Sequence, residues 1–130
     1  MQQDNTVILS IYAALLAFYY VYLSFNVIKV RQAEKISLGD NGNQKLQRAI
    51  RAHGNFIEYV PLTLILLFLA EYQGLASHYC HTLGAMLLIG RVFHNAGIVE
   101  ENFRFRQIGA IATFLTLLIT ACILLVSYFN

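Results

Sequence analysis

The stretch from Arg48 to Pro61 reads R-A-I-R-A-H-G-N-F-I-E-Y-V-P. It leads into an apolar run, Y-V-P-L-T-L-I-L-L-F-L-A from Tyr59 to Ala70, yet it carries Arg48, Arg51, His53, Asn55 and Glu58. On a helix each residue turns by about 100°. With Arg51 at zero, Asn55 falls near +40°, Glu58 near −20° and Arg48 near +60°, roughly, while His53 points away near 200°. Four polar groups therefore share one narrow face. A polar stripe entering such a run cannot face lipid; it has to face other helices, a ligand or water.

The composition agrees with a membrane setting. Of 130 residues, 58% are hydrophobic and only 12% charged, and mean hydropathy is +0.57. Soluble domains carry about 25% charged residues. The chain reads as one all-α integral membrane domain spanning residues 1–130. Basic residues come at loop ends and not as a surface face, so no nucleic-acid signature is present. Cys80 and Cys122 fall in separate apolar segments without metal-ligand spacing and read as packing residues or free thiols. The opening M-Q-Q-D-N lacks the basic start of a signal peptide, so the first apolar segment is expected to stay in the mature protein.

Four spans are expected, at about 6–28, 47–72, 79–97 and 107–129. In the first, Tyr12, Tyr19, Tyr22 and Asn26 share a face that reads mainly as aromatic packing. The polar stretch Lys29–Lys45 follows, with G-D-N-G-N as a turn or mobile loop. Pro61 removes an N–H inside the second span and is expected to bend it. The third span ends near Arg91 and His94, and V-E-E-N-F-R-F-R from Val99 to Arg106 reads as a loop. In the fourth, Gly109 with Thr113, Thr116 and Thr120 forms a small, polar stripe expected at a close helix contact.

An up-down four-helix bundle puts both termini on one side. Every Lys and Arg lies in or beside the first and third loops. The positive-inside rule places those loops in the cytoplasm and both termini outside. Arg51, Asn55 and Glu58, then Arg91 and His94, then Arg106, are thus expected in one cytoplasmic half of the bundle. A charged side chain at membrane depth costs at least about 2.5–3.5 kcal/mol on insertion scales, so these groups need pairing, a ligand or both. An ion-pair network accounts for Glu58 with Arg51 or Arg91. Three arginines against one carboxylate leave surplus positive charge, which suits an anionic ligand.

R-A-H-G-N-F-I-E-Y-V-P resembles the signature of the MAPEG family, the membrane-associated proteins in eicosanoid and glutathione metabolism. The family's R-x-x-x-N-x-x-E-x-x-P is matched by Arg51, Asn55, Glu58 and Pro61, and Gly90–His94, G-R-V-F-H, resembles its third-helix motif. Arg106 falls where the family has an arginine at the start of its fourth helix, and the overall form is similar to small bacterial members. The resemblance implies a homotrimer of four-helix subunits that binds glutathione as co-substrate between subunits, near the cytoplasmic side. By position, Arg51, Asn55, Glu58, Tyr59, Arg91 and His94 would line the glutathione site and Arg106 would stabilise its thiolate. Partners implied are a second and third copy of the chain, membrane lipid and apolar electrophiles. Ile98 and Ala110 stand where the eicosanoid enzymes of the family have tyrosines. The resemblance therefore implies a glutathione transferase or peroxidase of broad range in a bacterial inner membrane.

Other functional classes are weaker on the residues. A non-catalytic, lipid-binding scaffold of the same fold would leave the arginines unexplained. A haem electron carrier would draw on His53 and His94, with His78 and His81 by the opposite loop, but their spacing is poor. A transporter lacks a visible inverted repeat. The topology itself is testable in a variant with both cysteines replaced. Ser77→Cys should react with a membrane-impermeant thiol reagent on intact cells, and Ser37→Cys only after permeabilisation; the reverse pattern refutes the assigned orientation.

Overall fold

A computed structural model describes residues 7–130, and within them the chain is four helices without strands. They are α1 (Leu9–Glu34), α2 (Gln44–Tyr72), α3 (Ser77–Val99) and α4 (Phe103–Phe129). All four are long and apolar enough to cross a membrane. At 1.5 Å per residue they measure about 34 to 44 Å, against a hydrocarbon core of about 30 Å. The M-Q-Q-D-N opening and Thr6, where the first span was expected to begin, lie outside the described residues.

The helices overrun the expected spans because hydropathy reports the lipid-buried part while helix formation continues into polar residues. α1 continues through Arg31 to Glu34, and Lys35 closes it in the left-handed conformation (φ 55°). The G-D-N-G-N loop has built-in turns. Asp40 Oδ1 accepts from Gly42 N at 2.9 Å, and Asn43 caps α2 by accepting from Leu46 N at 2.9 Å. Arg31 donates across the loop to the carbonyl of Gly39 at 2.7 Å. Ile36 is buried against the cluster of Val30, Leu46 and Ala49. The expected loop from Val99 to Arg106 is shorter than it reads. Asn102 accepts from Phe105 N at 3.1 Å and starts α4 at Phe103, so F-R-F-R is its first turn. An Asn cap satisfies a backbone donor that the helix itself cannot, which is why the helix begins there.

The chain runs up and down. At one end, Glu71 in the last turn of α2 accepts from Ile8 N and Leu9 N at the start of α1, at 2.5 and 3.0 Å. Tyr12 meets His81 of α3 at that end, 3.0 Å apart. At the other end, Arg48 of α2 meets Glu101 in the α3–α4 turn. A carboxylate on the open N–H groups and positive dipole end of a helix is favourable. Here it ties α1 to the far end of α2. α2 runs unbroken through Pro61.

α2 touches all three other helices, whereas α1 and α4 do not meet among the described residues. The core of α1, α2 and α3 gathers Leu16, Leu23, Phe56, Val60, Leu67 and Leu87. Large apolar side chains such as Phe18, Phe25, Ile65 and Leu118 point outward, as lipid contact requires. α3 and α4 form the tightest pair. A Cβ on Gly90 would lie 2.8 Å from the Ala112 methyl, and one on Gly97 would collide with the Arg106 backbone. One on Gly109 would collide with Gly90 and His94. Gly109, Thr113, Thr116 and Thr120 are the buried residues of α4, the stripe read from the sequence. Each threonine hydroxyl donates to the carbonyl four residues back, so no buried hydroxyl is left unpaired. Small residues let backbones approach where lipid supplies no hydrophobic drive between helices. Gly97→Val should therefore cost about 2–4 kcal/mol of stability by overpacking against backbone that cannot yield. Denaturant titration in mixed micelles measures this, and an unchanged midpoint would contradict the contact.

Candidate functional site

The α2 face assembles as its periodicity requires. Arg51 donates twice to Glu58, Nη1 to Oε1 at 3.0 Å and Nη2 to Oε2 at 2.9 Å. The two residues are seven apart, two turns along one face. The flexible arginine stem spans the rise of about 10 Å between their Cα atoms. Both side chains are half-exposed on the outside of the bundle. His53 points the other way, as its angle demands. It meets Ser24 of α1 at 3.1 Å and stacks on Tyr20.

Asn55, on the inward edge of the same stripe, bonds the third helix. Its Oδ1 accepts from Arg91 Nη2 at 2.7 Å. Arg91 is only 1% exposed, a full guanidinium inside an apolar bundle, and its Nε has no protein partner. His94 is 6% exposed, and its Nδ1 lies 2.9 Å from the carbonyl of Arg106. A carbonyl only accepts, so Nδ1 carries the proton there and Nε2 is left as a lone pair. That contact exists because Gly109 and Gly97 let the two helices touch. Arg51, Arg91 and Arg106 all lie within electrostatic reach of the His94 ring.

The outer surface between α2, α3 and the first turn of α4 is a cleft of about 540 Å³. Arg48, Arg51 and Arg106 line it together with Gln44, Gln47 and Glu101. Arg48 Nη1 donates to Glu101 Oε1 at 2.5 Å. Among the described residues no carboxylate pairs with Arg106. The expected site residues thus fall into two layers. Arg51, Glu58 and Arg106 belong to the outer, accessible layer. Asn55, Arg91 and His94 form a buried layer behind it. Tyr59 stands apart, its ring edge-on to Phe114 of α4 at 5.4 Å.

Sequence reasoning passed over Arg48 and Glu101 as cleft residues. Arg48 had a signal, its place on the shared face of α2. Glu101 had none, since it faces the cleft through a turn. Asn95 was also missed. It is 1% exposed, beside the Tyr19 hydroxyl, with neither carboxamide atom fully bonded. A larger, apolar cleft of about 610 Å³ lies at the opposite end between α2 and α4, walled by residues such as Leu118, Ile119 and Cys122. Its lining carries no charged side chain.

A family model, the MAPEG family, matches residues 9–126, which includes all four helices and every residue of both layers. The chain belongs to the MAPEG family. It is 37% identical over 110 residues to the inner membrane protein YecN of Escherichia coli strain K12, covering 85% of this chain and 84% of that protein. The YecN of Escherichia coli O6:H1 is similar to the same degree. In this MAPEG chain the motif residues of α2 divide their work, Arg51 and Glu58 outward and Asn55 inward to Arg91.

The buried layer makes a stability prediction for this MAPEG protein. Asn55→Leu removes the acceptor and leaves the Arg91 guanidinium buried without it, which should cost about 2–3 kcal/mol. Asn55→Leu with Arg91→Met removes both partners and should recover most of that loss. Unfolding midpoints of the two variants in micelles decide it; equal losses in single and double variant contradict the pairing.

Proposed function

We propose that the protein is a membrane-bound glutathione transferase or peroxidase acting on apolar electrophiles. The observation that carries this reading is the shared cleft: Arg51 from α2 and Arg106 from α4, with Arg48, line one open volume. Its size is within the roughly 300–1,000 Å³ range of small-molecule sites. Glutathione brings two carboxylates and one ammonium. Guanidinium groups bind carboxylates through paired hydrogen bonds, and Glu58 or Glu101 supplies a counter-charge for the ammonium. Family membership supports the choice of thiol.

In this reading Arg106 holds the thiolate. A free thiol has a pKa of about 8.5, and a nearby cation lowers it by a unit or more, each unit being about 1.4 kcal/mol. The thiol proton passes to solvent. The thiolate then attacks the electrophilic carbon, the C–S bond forms and the leaving group departs with its electron pair. With a hydroperoxide, two glutathiones become the disulfide while the peroxide becomes alcohol and water. Arg91, Asn55 and His94 back the cleft and hold α2, α3 and α4 in register, while Tyr59 packs on Phe114 and ties α2 to α4.

A homotrimer fits the same features. The Arg51–Glu58 pair is half-exposed on a spanning helix, and a lipid-facing ion pair is unfavourable, so a neighbouring subunit is the natural cover. That the Escherichia coli relatives are inner membrane proteins supports a bacterial inner-membrane location for this chain. With both termini outside, the cleft opens to the cytoplasm, where basic loops belong.

The test is enzymatic and calorimetric. Purified protein with saturating glutathione and an aryl halide should form the thioether above the solution rate. Arg106→Ala should lower turnover about tenfold or more, the effect of one or more pKa units, while glutathione affinity changes far less. Turnover unaffected by Arg106→Ala refutes the thiolate role. Absence of both product and glutathione binding refutes the enzyme and favours a scaffold of the same fold.

A further inference from the structure

Two cavities between α1 and α3 share no residue with the polar cleft and play no part in the reading above. The smaller, about 190 Å³, lies toward the end of the bundle that carries the basic loops. Tyr19, Tyr22 and Asn26 of α1 line it, on the face whose polar groups stand out in the sequence. Across from them are Asn95 of α3 and Glu100, exposed at the end of that helix. The larger cavity, about 530 Å³, shares Tyr19 and Val92 with the first. Its other walls are apolar: Leu15, Phe18, Leu88, Ile89 and Phe93.

Together they make one groove with a polar end and an apolar run. The rise from Leu15 to Asn26 on α1, matched by Ile89 to Glu100 on α3, is about 16 Å at about 1.5 Å per residue. That is one leaflet of a hydrocarbon core about 30 Å thick. Acyl chains fill any groove on a spanning bundle; the polar end is what calls for a particular head. Asn95 is 1% exposed, and both its carboxamide atoms lack a hydrogen-bond partner. Such a group is costly in an apolar setting unless something answers it. Among the described residues Glu100 has no ion-pair partner, and no Lys or Arg lines either cavity. An anionic head would therefore meet only a carboxylate. A primary ammonium brings three N–H donors, which a carboxylate and carboxamide oxygens accept. A trimethylammonium has no N–H and depends on an aromatic cage. Tyr19 and Tyr22 stack on each other, centroids 5.7 Å apart, and form one wall but no cage.

We infer that the α1–α3 groove is a site for one membrane phospholipid with a primary-ammonium head, of the ethanolamine type. Its ammonium is held by Glu100 and the Asn95 carboxamide, and its phosphate takes the neutral donors of Tyr22 and Asn26. One acyl chain runs along Phe18 and Ile89 toward the membrane centre. The site goes beyond the thiol reading and does not depend on it.

The experiment is native mass spectrometry of the purified, delipidated full-length protein in detergent. It is titrated with phosphatidylethanolamine, phosphatidylcholine and phosphatidylglycerol carrying identical acyl chains. The ethanolamine lipid should bind about tenfold more tightly than either of the others, the value of one charge-assisted contact. Glu100→Gln, at an exposed helix end, should bring the three affinities to within about twofold by weakening the ethanolamine lipid alone. Glu34→Gln removes another exposed carboxylate at the same end of the bundle and should leave the preference intact. Ile89→Trp, at an exposed position on the apolar run, should weaken all three lipids about tenfold by filling the path of the chain. Equal binding of the three lipids by the wild type, or a preference that survives Glu100→Gln or is lost equally in Glu34→Gln, overturns the inference. Affinities unmoved by Ile89→Trp place the lipid elsewhere and overturn it too. A wild type that takes up no lipid, as when a neighbouring subunit covers this face, overturns it as well; none of these outcomes touches the thiol site.

Discussion

The burial of Arg91 is the constraint on which the interior depends. A guanidinium has five donors and no way to become neutral in a protein. At 1% exposure it must be answered from within the bundle. Asn55 answers it with a side-chain oxygen, and that bond fixes the rotation of α2 against α3. Once α2 is so rotated, Arg51 and Glu58, one turn to either side, have to turn outward on the same stripe. Pairing with one another is then the local way to keep their charges neutralised.

The second determinant is the seam between α3 and α4. Glycines at 90, 97 and 109 remove the side chains that would hold the helices apart. The close approach delivers the Arg106 carbonyl to His94 and sets the first turn of α4 beside the start of α2. The threonines line the same interior and bond their own helix, so they add packing without demanding polar partners from neighbours. Dispersion and backbone proximity, not hydrophobic transfer, bind such a pair in lipid. The outer cleft depends on this seam, which holds Arg106 of α4 against α3, where it faces Arg48 and Arg51 of α2.

Much of this was readable in the chain because it is local. Hydropathy marked four crossings, and the 3.6-residue period put Arg51, Asn55 and Glu58 on one side and His53 on the other. Gly109 and the threonines announced a buried stripe. The F-R-F-R segment was harder: a window sensitive to charge reads it as loop, while a single cap at Asn102 makes it helix. Glu101 could not be found this way, because its place in the cleft is set by a left-handed turn and by Arg48, fifty-three positions away.

What the sequence by itself determined is the membrane class, the up-down order and the angular position of each polar group on its own helix. Those follow from composition and from a fixed helical repeat, which need no partner. Only the tertiary structure decided that Asn55 turns to Arg91, that Arg51 keeps Glu58, and that Arg48, Arg51 and Arg106 share a cleft with Glu101. Those outcomes depend on how closely neighbouring helices approach and on which acceptor lies within reach of each buried donor. A one-dimensional repeat carries no information about either.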